Sequence, residues 1–151
     1  MKPIYFITKR RPVSYNKKEQ MQKYKREIKS EFDVKYAQLY DNLPLASNSL
    51  KTRIVYIHRI KHINQIPDID NLSKPIIDAF SGTIYIDDSQ VVDRNATILR
   101  FNDFDFATVD ATNMPFEIYQ AFEKYFNEKS ENIVLFGVVT IDINLIKVGE
   151  I

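Results

Sequence analysis

Cysteine is absent from this 151-residue sequence. That excludes disulfides, a thiolate metal site and a cysteine nucleophile, and with them a small secreted fold held by disulfides. Glycine and proline are scarce, at three and six residues, so the chain is neither collagen-like nor of low complexity. No apolar run approaches the roughly 20 residues that span a bilayer. The opening MKPIYFITKRRP holds too short an apolar stretch for a secretory signal. The expectation is a soluble, cytoplasmic protein with no membrane partner. What is present, 44% hydrophobic and 13% aromatic residues, suffices for one core and argues against disorder.

Charge is nearly balanced overall, at +1, but unevenly placed. Residues 1–62 carry fifteen Lys and Arg against five Asp and Glu, whereas residues 63–151 carry six against fifteen. This split suits a basic surface facing a polyanion beside an acidic patch that holds cations. Folding that interleaves the two halves would equally leave each charge merely solvated.

Hydrophobic period gives the element order. Ile4 to Thr8 reads as a strand, stopped by Lys9-Arg10-Arg11-Pro12. Ser14 or Asn16 suits the cap of a helix over residues 17–40, whose stripe is Met21, Tyr24, Ile28, Phe32, Tyr36 and Leu39. Residues 41–50 read as a loop, and Arg53 to Ile60 as a strand. Residues 70–80 suit a short helix, with Pro75 tolerable if it falls in the first turns. After a turn at Ser81-Gly82-Thr83, strand geometry begins at Ile84–Ile86 and resumes from Gln90 to Phe101. A polar loop over 102–114, a helix over 115–129 and a strand from Ile133 to Ile146 complete the chain. The order β-α-β-α-β-β-α-β describes a single α+β domain over residues 1–151.

Chemistry concentrates in residues 67–90, PDIDNLSKPIIDAFSGTIYIDDSQ. In an extended segment, Asp68 and Asp70 project to the same side. Asp87 and Asp88 follow enough chain to fold back on that pair. Converging carboxylates repel one another, and a hard divalent cation relieves them. Lys74, one turn beyond Asp70, stands where charge develops on a phosphate. Together these are the parts of a metal-dependent phosphodiesterase. Each aspartate also has a structural reading: Asp70 as a helix cap, Asp68 in a turn, Asp87-Asp88 in a solvated loop. A calcium EF-hand is excluded, because counting from Asp68 places Leu72, Ser73 and Ala79 at positions five, six and twelve, where oxygen, Gly and Glu are required.

The run Asp68-x-Asp70-Asn71-Leu72-x-Lys74-x-x-x-Asp78-Ala79, followed by Asp87-Asp88-x-Gln90-Val91, resembles the RusA family of Holliday-junction endodeoxyribonucleases. The likeness extends to the first strand, to Pro12-x-Ser14-x-Asn16 and to the apolar last strand. It implies a small α+β homodimer of bacterial or phage origin. In that fold a mixed β-sheet is packed by a long N-terminal helix and a short active-site helix. The implied substrate is a four-way DNA junction, cut by paired nicks with Mg²⁺, or Mn²⁺ in its place, in recombination and repair. Carried over by motif, Asp68, Asp70 and Asp88 hold metal, Asp87 ranks behind them, and Lys74 is the essential lysine. Residues 102–131 read as an insertion relative to this pattern.

DNA binding is expected of Lys9, Arg10, Arg11, Asn16, Lys17 and Lys18, at a loop and helix start. Three adjacent cations at Lys9–Arg11 repel unless an anion relieves them. Lys25, Arg26 and Lys29 either extend this track or keep the helix soluble. His58 and His62 lack the partners of a zinc site and are expected to face solvent or nucleic acid. Phe101, Phe104 and Phe106 suit core packing better than base stacking. Two other readings remain: a broader flap or branched-DNA nuclease, and a silent DNA-binding protein with a structural cation.

Overall fold

Ile4–Thr8 forms the first strand, β1. The computed structural model describes residues 2–13, 17–101 and 110–142. Within them follow α1 (Lys18–Lys35), β2 (Leu50–His58), α2 (Ile69–Ala79), β3 (Val91–Arg100), α3 (Phe116–Asn127) and β4 (Asn132–Thr140). The strands form one mixed sheet in the order β1-β4-β2-β3. β4 runs antiparallel to both β1 and β2, while β2 and β3 are parallel. A parallel pair cannot be joined by a hairpin, and the crossover between β2 and β3 carries α2. The α+β class and mixed sheet expected from sequence are therefore observed.

The stripe on α1 buries Met21, Tyr24, Ile28 and Phe32. The helix ends sooner than its period suggests, because Tyr36 leaves helical geometry at φ −127° and a 3₁₀ turn covers Ala37–Leu39. Tyr36 nevertheless stays buried, its ring 6.0 Å from that of Phe6, so apolar burial outlasts the helix. Phe80 closes the core after α2, with ring centroids 5.2 Å from Phe6, 5.5 Å from Phe32 and 5.4 Å from Phe136. β4 is buried along both faces over most of its length, as expected for a strand flanked on both sides.

Two expected features are corrected. Ile84–Ile86 is not a strand. Its neighbourhood spends its backbone groups in a turn, with Ile84 N–H donating to Phe80 C=O at 3.0 Å and Gly82 N–H to Tyr85 C=O at 2.7 Å, and on one contact, Leu45 N–H to Ile84 C=O at 2.7 Å. Only isolated bridges join Tyr85 to Leu45 and Ser81. His58 does not face solvent; it is buried, and its Nδ1 accepts the Ile60 N–H at 3.2 Å. The last strand is β4, and the predicted extension beyond residue 142 lies outside the described residues.

At the sheet's β1 edge the Tyr40 hydroxyl accepts from Tyr5 N–H and donates to Tyr5 C=O, both at 2.9 Å. α3 packs on β1 and β4 and buries Ile118 and Tyr125. Phe101 is half-buried and packs outside the main core. Its ring lies 5.3 Å from that of Phe126, and the Arg59 guanidinium sits 3.4 Å above it. Phe104 and Phe106 lie outside the described residues.

Candidate nuclease site

α2 is held at its start by Asp68. Its backbone is extended, and its Oδ1 accepts the Asn71 N–H at 2.8 Å. Asp68 is thus the N-cap, a role suggested for Asp70, which instead occupies the first helical turn. The expectation that both project from one side of an extended segment fails for that reason. Pro75 also lies deeper than anticipated, in the second turn. It supplies no N–H to the Asn71 carbonyl, and the Ser73 hydroxyl adds a bond to the Ile69 carbonyl at 2.8 Å.

From Asp70 the residues at four-residue spacing are Lys74 and Asp78, so the three share one face of α2. Asp70 and Lys74 are exposed, and Asp78 is half-buried. The turn after α2 then returns the chain to this face. Asp88 stands beside the Asp78 carboxyl. Burial first, and then this neighbour, push the Asp78 carboxyl above its ordinary range, while Lys74 and Lys25 of α1 pull it down. Beneath the pair, the Tyr85 phenol donates to the Ile77 carbonyl. Burial foremost, with Asp78 and Asp88 nearby, drives its pKa far up.

The position of Asp88 is set by Gln90. This buried side chain accepts the Asp87 N–H at 2.8 Å and donates to the carbonyls of Leu45 at 2.9 Å and Ser47 at 2.7 Å. Asp87 caps the short 3₁₀ turn Asp88–Gln90, accepting from Ser89 N–H at 3.1 Å. Hydrogen bonds from Ser89 hold its exposed carboxyl below the usual range.

The sequence-derived ligands are therefore split between the two ends of α2. Asp68 and Asp70 stand at its start, and Asp88 meets Asp78 near its end, about 12 Å further along the axis at 1.5 Å per residue. Among the described residues no group of three or more His, Cys, Asp or Glu converges as a metal would require. The donors nonetheless fit a hard dication. Asp78 and Asp88 are two neighbouring oxygen ligands, and Mg²⁺ takes one or two carboxylates while keeping several waters. The motif alone gives Asp78 no role; its signal is the four-residue spacing from Asp70 through Lys74.

The basic residues separate in the same way. Lys9 pairs with Glu128 at 3.2 Å, and Arg10 with Glu27 at 3.1 Å and Glu31 at 3.2 Å. Internal carboxylates thus relieve the repulsion that suggested a phosphate. Arg11 instead donates to the Gln65 carbonyl at 3.1 Å. It lines a cleft between the starts of α1 and α2 that also takes in Lys17 and Asp68. Lys18 is exposed on the first turn of α1, and Asn16 lies outside the described residues.

A family model described as endodeoxyribonuclease RusA matches residues 5–104. No curated protein matches the chain. The matched span runs from β1 to the end of β3 and contains every acidic residue and lysine discussed for α2. Among the described residues no helix is long and apolar enough to cross a membrane.

Proposed function

Because the chain belongs to the RusA endodeoxyribonuclease family, we propose that it resolves four-way DNA junctions by paired, Mg²⁺-dependent nicks, acting as a homodimer in recombination and repair. The observation that carries this reading is the single face of α2 bearing Asp70, Lys74 and Asp78, with Asp88 brought beside Asp78.

Asp78 and Asp88 would hold one Mg²⁺, or Mn²⁺ in its place, and Asp68 and Asp70, at the other end of α2, would meet a second. When bound, such an ion supplies Lewis acidity toward the phosphate and lowers the pKa of coordinated water. Lys74 meets the negative charge that grows on the phosphate oxygens as the bond breaks. Asp78 stands beside Asp88, while Gln90 fixes the turn that carries it. Arg11 and Lys17 bind backbone phosphates beside this face.

The test incubates the protein with a labelled four-way junction, a flap and a linear duplex, in Mg²⁺ or EDTA, beside Asp70→Asn and Asp88→Asn. Paired nicks confined to the junction, lost in EDTA and in both folded variants, are expected. Binding without nicking in Mg²⁺ and Mn²⁺ would overturn the reading. Cutting of flaps as readily as junctions would replace it with a general branched-DNA nuclease.

A further inference from the structure

The cleft between the starts of α1 and α2 has a volume of about 850 Å³. That is the size of a small-molecule site, so a duplex does not fit within it. Two cations, Arg11 and Lys17, stand on its wall. Arg11 spends one guanidinium N–H on the Gln65 carbonyl, which pins its planar fork at the rim. Gln20, Asn64, Gln65 and Asn71 also line it, and the side-chain amide of each carries both a donor and an acceptor. Ile66 and Pro67 add an apolar wall.

Each of these three chemistries answers one part of a nucleotide. The cations suit the phosphate, the carboxamides match a base edge, and the apolar wall suits a sugar or base face. Asp68, the N-cap of α2, stands at the same cleft, so whatever lies in it adjoins the start of that helix. We infer that this cleft seats one nucleotide of an unpaired DNA strand next to the phosphate that is cut, and that Gln20 and Asn64 read its base. The inference rests on the nuclease reading only for the word cut; the binding itself does not require cleavage.

The experiment measures fluorescence anisotropy of a short labelled DNA strand and of a labelled hairpin duplex, both in EDTA so that cleavage plays no part. The variants are Gln20→Ala, Asn64→Ala and, to fill the cleft, Ile66→Trp, each checked by its melting curve. Single-strand affinity is expected to fall at least tenfold in Ile66→Trp and severalfold in the two amide variants, with duplex affinity unchanged. On cleavable junctions the amide variants are expected to alter which nucleotide flanks the nick. Equal losses for strand and duplex would overturn the inference and leave the cleft as a backbone contact. So would a wild type that ignores single strands. A protein that binds single strands through this cleft yet cuts no DNA would overturn the proposed function and keep the inference.

Discussion

Asp78 and Asp88, ten residues apart in the chain, stand side by side at the end of α2. Burial and that neighbouring carboxyl favour the protonated form of Asp78, and a cation between the two would take the proton's place.

The sign of the resulting pH effect is fixed. The folded-state pKa of Asp78 lies above its ordinary value of 3.8. As pH rises from that value through the raised one, the folded state binds more protons than the unfolded state, and stability falls. Asp78→Asn is thus expected to melt at a higher temperature than the wild type at neutral pH in EDTA, the gap closing in acid. An Asp78→Asn protein that melts lower at neutral pH would show that the carboxylate stabilises the fold.

Gln90 joins the turn bearing Asp88 to the segment before β2. Gln90→Leu strands the Asp87 N–H and the carbonyls of Leu45 and Ser47; the buried Leu45 bond alone costs about 1–3 kcal/mol. Urea unfolding measures that cost. Junction cleavage is expected to suffer more than junction binding, since the loosened turn carries Asp88 and not the basic cleft.

Arg10 and Arg11 are neighbours with different duties. Arg11→Ala is expected to lower the slope of log affinity against log salt by about 1, the signature of one lost phosphate contact. Arg10→Ala is expected to leave that slope unchanged, because its guanidinium is engaged by Glu27 and Glu31. Titrations of DNA binding at several salt concentrations separate the two.

Phe80 touches three other aromatic rings and is fully buried. Phe80→Ala is expected to cost about 3–5 kcal/mol, read by denaturant unfolding. A much smaller loss would mean that the site collapses around the gap.

Much of this arrangement was legible in the residues. The stripe on α1, the Val- and Ile-rich strands and the acidic window each carry a local signature, and local signatures survive folding. Ile84–Ile86 misled because strand propensity says nothing about where backbone hydrogen bonds are spent; here the turn consumed them. The part given to Asp78 was hidden for another reason. Its spacing from Asp70 is local, but its importance depends on Asp88 returning from a turn. The pairing of Arg10 with Glu27 and Glu31 was likewise invisible, because a run of like charges does not name its counterions.

The strand that completes the sheet comes last in the chain. β4 lies between β1 and β2, so β1 has no neighbour to pair with until residues 132–140 have been made. Every acidic residue of the candidate site precedes them by more than 40 positions. During synthesis the growing chain therefore holds all of these side chains before it holds the scaffold that fixes them. Translation itself acts as a timer on activity, and a product released before residue 132 carries the motif without the fold.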